Sequence, residues 1–154
     1  MTIDYLANHR SSIPKLARYF FDEWRPVYEQ RGMTLDDVTV SFEARANVDL
    51  LPLTLVGIDR DHVIGTGSLK LDDLEVRPEL NPWLGGLFVV PERRNQGFGT
   101  ALIERLLHEA RRLHLVDLYL WTPSAESLYA KLGWNTIERL EYCGYSASVM
   151  KLTL

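Results

Sequence analysis

The sequence predicts a mixed α/β sandwich: a central, mostly antiparallel sheet of six or seven strands with helices on both faces. Three observations carry this expectation. Residues 53–58 and 62–71 are strand-like runs separated by the turn Asp59-Arg60-Asp61, which reads as a hairpin. Residues 83–90 and 115–121 are buried strands that flank a helical stretch, so they should lie parallel through a right-handed crossover. Residues 134–140 and 142–152 close the chain as two further strands.

Residues 3–7 alternate weakly and form a short first strand. Ser11 or Ser12 caps the next helix, with Pro14 in its first turn. Ile13, Leu16, Ala17, Phe20, Phe21 and Trp24 then keep helical spacing until Pro26 kinks or breaks the pattern. Thr34 opens another helix, with Asp36 and Asp37 in its first turn where acids suit the dipole, and 38–46 continues it. After the hairpin, residues 72–82 are polar, hold Pro78 and Pro82, and form a loop that runs into the strand 83–90. Gly85-Gly86 inside that strand marks a bulge or the close approach of a ligand. The helix 97–113 ends on Arg111, Arg112 and His114, cations suited to its C-terminus. Residues 124–132 form a short helix with Gly133 as its cap. Repeats, low-complexity segments and linkers are absent, so residues 1–154 are expected to form a single domain.

The totals narrow the function. The chain has 154 residues, 46% hydrophobic and 25% charged, with a net charge of −4. No broad basic surface is implied, so nucleic acid is not an expected partner. No run approaches the roughly 20 apolar residues that span a bilayer, and no signal-peptide pattern opens the chain, so a membrane is not expected either. The lone Cys143 fits a reducing cytoplasm and reads as a buried structural thiol in a terminal strand. His9, His62, His108 and His114 lack metal-ligand spacing, and a metal is not expected.

The chemistry concentrates after Val90. A strand stops at Pro91, a basic loop with two glycines follows, and from Phe98 the apolar positions Leu102, Leu106, Ala110 and Leu113 take helical spacing. The first amides of a helix have no partners within it, and the dipole adds partial positive charge there. A glycine loop that brings bare amides up to a phosphate makes an anion site, with Arg93 and Arg94 adding full charges. Neither the Walker A pattern nor Gly-x-Gly-x-x-Gly fits, since no Lys-Ser/Thr and no third glycine follow. What remains is Arg94-Asn95-Gln96-Gly97-Phe98-Gly99, after a strand ending Val-Pro-Glu, with Leu128-Tyr129-Ala130-Lys131-Leu132-Gly133-Trp134 downstream.

These two segments resemble the GNAT N-acetyltransferase superfamily, over roughly the C-terminal two-thirds of the chain. The resemblance implies a GNAT-like fold and an N-acetyltransferase that uses acetyl-CoA as co-substrate and acetylates a primary amine of a small molecule or protein by direct attack. It places the coenzyme on Arg94, Asn95, Gln96, Gly97, Phe98, Gly99 and Thr100, and on the strand residues Phe88, Val89 and Val90, and a backbone N–H of the strand Leu87 to Val90 would polarise the thioester carbonyl. It makes Tyr129 the catalytic acid that protonates the leaving thiolate. Many members carry an asparagine seven residues before this tyrosine; here Thr122 stands there, a shorter hydrogen-bonding side chain. A homodimer is common in the family. A non-catalytic acyl-CoA-binding sensor on the same fold is the alternative. The acceptor and the general base are not legible, but Asp72, Asp73 and Glu75 lie in the loop before the key strand. With Trp24 and Tyr28 they suggest a site for an amphipathic cation, through ring faces and carboxylates.

Overall fold

A computed structural model describes all 154 residues. Seven strands join one sheet: β1 (Thr2–Tyr5), β2 (Leu53–Asp59), β3 (His62–Lys70), β4 (Trp83–Val89), β5 (Asp117–Thr122), β6 (Asn135–Tyr142) and β7 (Tyr145–Thr153). Their order is β1-β2-β3-β4-β5-β7-β6. Every neighbouring pair is antiparallel except β4–β5. Five α-helices cover the sheet: α1 (Ile13–Glu23), α2 (Arg25–Gln30), α3 (Leu35–Ala44), α4 (Phe98–Arg112) and α5 (Glu126–Lys131). The mixed, mostly antiparallel sandwich is therefore as expected.

Successive strand residues face opposite sides, and the core divides accordingly. On one face, Leu16 and Phe20 of α1 and Val38 and Phe42 of α3 pack on Val56, Ile64 and Phe88. On the other, Ile103, Leu106 and Ala110 of α4 pack on Leu55, Leu69, Leu84, Leu118 and Leu120.

Local chemistry sets the element ends. Thr34 and Asp37 form a reciprocal capping box at the start of α3. Ser12, by contrast, makes no side-chain cap on α1. Pro26 breaks the helix rather than kinking it: Trp24 leaves helical geometry at φ −112°, ψ 26°, and Pro26 then sits in the first turn of α2. The last hairpin also differs from expectation. Its turn falls at Cys143-Gly144, not at Glu141, and Tyr142 pairs with Tyr145. Both turn residues have positive φ, 48° and 84°, the twist that suits a two-residue hairpin connection. Cys143 is thus a partly exposed turn residue, not a buried strand thiol.

Two features of β4 position the site. Gly86 and Leu87 stand opposite the single Gly67, a bulge made possible by Gly86 at φ 58°. And β4 pairs with β5 only at Trp83↔Tyr119, with the Tyr119 amide donating to Pro82 O at 3.0 Å. Beyond that pair the two parallel strands separate, and a cleft opens between them.

Candidate active site

The cleft has a volume of about 420 Å³ and is lined from both strands: Leu84–Leu87 on one side, Leu120–Ala125 and Tyr129 on the other, with α1, α2 and the end of α3 closing it. That size falls within the range of small-molecule sites.

The unpaired edge of β4 supplies donors. The Val90 amide donates to Ile64 O at 2.9 Å, on the β3 side. Alternation along the strand puts Phe88 on that same side and turns the Val89 and Leu87 amides toward β5, which has already diverged. Of the expected strand donors, Val89 therefore keeps its place. The amide of Leu87, also within the expected donor strand, faces the same way, while those of Phe88 and Val90 face β3.

At the end of β4 the chain makes a tight 3₁₀ turn, Pro91–Arg93, and reaches Gly97, which precedes α4 at φ 86°. No side chain caps this end of α4 and no acid sits in its first turn. The first amide to bond back in this turn is that of Ala101, to Gly97 O at 3.1 Å. The amides of Phe98, Gly99 and Thr100 are left for another partner. A Cβ at Gly97 would meet nothing within 4 Å, and one at Gly99 only Val89 Cγ2 at 3.9 Å. The space over the loop is open.

The loop side chains do less than expected. Arg93 is paired with Asp59, whose carboxyl it holds below the usual range. Arg94 donates through Nε to Val89 O at 2.8 Å, lies over the Phe88 ring and approaches Glu23 at 3.4 Å. Gln96 turns back to Glu92 O at 3.2 Å, and Asn95 sits exposed at φ 60°. The two arginines brace the loop against the fold, so the anion-binding capacity rests chiefly on backbone amides.

Tyr129 lies in the cleft wall, 7% exposed, with its ring edge-on to Trp134 at 6.0 Å. Burial alone raises its phenol to about 12. It is therefore fully protonated at neutral pH. Thr122 is buried at the end of β5, and its hydroxyl oxygen accepts from the Ser124 and Ala125 amides at 3.3 and 2.9 Å. It closes the turn into α5 and so holds Tyr129 in place. Thr122 also lines the cleft, and with its oxygen engaged by these two amides its hydroxyl is left to donate.

On the acceptor side the expectations separate. Trp24 lines the cleft, edge-on to Trp121 at 5.7 Å and to Tyr145 at 5.9 Å. Asp73 also lines it, bonded to Lys70 Nζ at 2.6 Å and lodged where a Cβ on Gly85 would sit 2.7 Å from its Oδ2. Asp72 is exposed and outside the cleft lining, as is Glu75, which pairs with Arg31 at 3.3 Å and accepts from Tyr142 Oη at 3.3 Å. Arg31, Arg45 and Lys70 line the cleft and were not expected there. Their lining roles depend on chain crossings that no local pattern announces.

No helix is long and apolar enough to cross a membrane, and no group of three or more His, Cys, Asp or Glu side chains is placed to hold a metal.

Comparison with known proteins agrees with this geometry. A glutamate–tRNA ligase of Latilactobacillus sakei subsp. sakei (strain 23K) is 30% identical over 117 residues, which is 72% of this chain but 22% of that protein. The chain thus spans about a fifth of the curated relative it matches. Among solved structures, the ribosomal-protein-alanine N-acetyltransferase of Brucella melitensis superposes with a TM-score of 0.78 at 18% identity, covering 100% of both chains. The aminoglycoside 6′-N-acetyltransferase of Enterococcus faecium gives 0.74 at 18%, covering 99% of this chain and 97% of that one. YncA of Salmonella typhimurium, solved with its cofactor acetyl-CoA, gives 0.73 at 18%, covering 99% and 93%. These identities speak for a shared fold. The model of the acetyltransferase (GNAT) family matches residues 13–134, and the chain belongs to that family.

Proposed function

We propose that residues 1–154 act as one N-acetyltransferase domain that moves the acetyl group of acetyl-CoA to a primary amine by direct attack. The observation that carries this reading is the succession of three features along one strand. These are the bare first-turn amides of α4, the unpaired edge of β4 that leads to them, and the cleft beside that strand, walled by Tyr129. The residues fit the coenzyme: an uncapped helix start with open space above its glycines suits a pyrophosphate, and an unpaired strand edge suits the amides of an extended arm.

When bound, acetyl-CoA supplies an acetyl group activated as a thioester. The Leu87 and Val89 amides orient the arm and offer a donor to the thioester oxygen. Asp73 binds the incoming amine and, directly or through water, takes the proton released as the C–N bond forms. Tyr129 places its hydroxyl proton at the departing sulfur as the C–S bond breaks. A phenol near 12 is a weak acid toward a thiolate, so this hydroxyl acts largely as a strong hydrogen-bond donor at the developing charge. Cys143 stands outside the cleft lining and has no part in the transfer.

The test is acetyl-CoA titration followed by release of free thiol over a panel of amines. Acetyl-CoA binding with thiol release that depends on an amine supports the reading. Tight binding without turnover on any amine favours the sensor. The panel should span amino acids, peptides, polyamines and aminoglycosides, and oligomeric state is read alongside from sedimentation.

A further inference from the structure

The acceptor end of the cleft contains an arginine that the fold does not neutralise. Arg45, at the end of α3, is 6% exposed and lines the cleft. Its Nη1 donates to Ser41 Oγ at 3.0 Å and its guanidinium lies over the Phe42 ring at 4.3 Å. No carboxylate lies within ion-pair distance of it, and its Nε is buried without any partner. Asp73 acts on it only from farther off. A desolvated charge without a counter-ion is costly, and folds retain one chiefly where something else supplies the opposite charge.

The coenzyme phosphates do not supply it. The phosphate loop begins after Val89, and Arg45 shares the cleft with Gly85 and Gly86. At about 3.3 Å per strand residue, roughly 13 Å of β4 separates Gly86 from Val90. Two more cations, Arg31 and Lys70, line the same cleft against two acids, Glu23 and Asp73. Of the expected site for an amphipathic cation, Trp24, Tyr28 and Asp73 line the cleft, joined by Trp121 and Tyr145, while Asp72 and Glu75 lie outside it.

Building on the N-acetyltransferase reading above, we infer that the acceptor is a small amino-carboxylate. Its amine is held by Asp73, its carboxylate by Arg45, and its apolar body by the aromatic wall. A carboxylate accepting from Nε and the remaining guanidinium protons satisfies both the orphaned donor and the uncompensated charge. Polycationic amines would bring like charge against Arg45, which unlike Arg31 and Lys70 has no paired carboxylate.

The experiment compares matched acceptors that differ only in the carboxylate: phenylalanine with phenethylamine, 6-aminohexanoate with hexylamine, and glycylphenylalanine with its amide. Spermidine and tobramycin are the polycationic arm. Binding to the protein with free coenzyme A is measured separately by calorimetry. The α-amino acid, ω-amino acid and dipeptide pairs distinguish the spacing of amine and carboxylate. The expected result is a preference of about tenfold or more in kcat/KM for the carboxylate member of at least one pair, the size of a charge-assisted hydrogen bond. Arg45→Met should shrink that ratio toward one, and Arg45→Lys should retain part of it. Folding and acetyl-CoA affinity of both variants are checked first by thermal melting and titration. Equal turnover within every pair, a preference for polycations, or an equal loss on both members of a pair in Arg45→Met and Arg45→Lys would overturn the inference while leaving the N-acetyltransferase reading intact. Arg45-dependent binding of an amino-carboxylate without acetyl transfer would support the inference and overturn the enzyme reading instead.

Discussion

Gly99→Ala separates the phosphate-binding role of the loop from its folding role. An added Cβ meets only Val89 Cγ2, at an ordinary 3.9 Å, and Gly99 lies inside the first turn of α4 with no positive φ. Alanine there meets no clash, and helix propensity favours it, by less than the roughly 0.5–1 kcal/mol of a helix interior. Melting temperature should hold or rise. The bound coenzyme sees something else: a methyl group at the backbone where three bare amides converge. Losing or lengthening one amide bond to a charged phosphate costs about 1.5–3 kcal/mol, which is roughly ten- to a hundredfold in Kd. Calorimetry with coenzyme A should show that loss, and pantetheine, which lacks the phosphates, should bind wild type and variant alike. Gly97→Ala behaves differently. Nothing within 4 Å would touch its Cβ, but φ is 86°, a conformation that costs a side chain about 1–2 kcal/mol. Stability and affinity should fall together there, so it is the poorer probe. A stable Gly99→Ala protein with unchanged affinity for coenzyme A would refute the phosphate-loop assignment.

Three further outcomes follow from the geometry. Tyr129→Phe should lower kcat by roughly 10- to 100-fold with coenzyme affinity nearly intact, and since the wild-type phenol lies near 12, kcat should show no falling limb from this group below about pH 10; full kcat in the variant would make the residue structural. Thr122→Val removes an oxygen that accepts from two amides and should cost about 1–2 kcal/mol in a denaturant titration, with kcat falling because α5 carries Tyr129; unchanged stability and rate would remove Thr122 from the support of the site. Glu126 accepts from Ser148, Thr136 and Arg139, which together hold its carboxyl at about 2 in place of 4.5, so its contribution to stability is present above pH 4.5 and fades as pH falls toward 2. Glu126→Gln should flatten the dependence of melting temperature on pH within that window, and an unaltered acid limb would count against it.

Much of the fold was legible because its signals are local. The Thr34 cap with Asp37, the hairpin at 59–61 and the strand–loop–helix around Gly97 are each fixed by residues close in sequence. The last turn was misplaced because Leu140 and Tyr142 read equally well as strand ends, and only pairing with β7 decides that the chain reverses at Cys143-Gly144. The partners of the loop arginines were hidden for a related reason. Sequence shows that Arg93 and Arg94 adjoin the glycines, but not that Asp59 and Glu23 arrive from other elements to engage them.

The acceptor end shows the limit most clearly, and the reason is topological. The proposed coenzyme track runs mainly along consecutive residues, 87–100, so one short motif announces it. The acceptor cleft gathers Trp24 from the α1–α2 break, Arg45 from the end of α3, Asp73 from the β3–β4 loop and Tyr145 from β7. No spacing rule links positions so far apart; the three-dimensional path does. Gly85 is the one residue that joins both descriptions. With Gly86 it reads in sequence as a bulge or the close approach of a ligand; in the structure the bulge falls at Gly86 and Leu87, and what approaches Gly85 is the Asp73 carboxylate. A side chain at position 85 would displace that carboxylate into the cleft without touching the α4 loop. Gly85→Ala should therefore raise the KM for the amine while leaving coenzyme affinity near wild type. A variant that instead lost coenzyme and kept its amine KM would place Asp73 on the donor side of the cleft and reverse the assignment of its two ends.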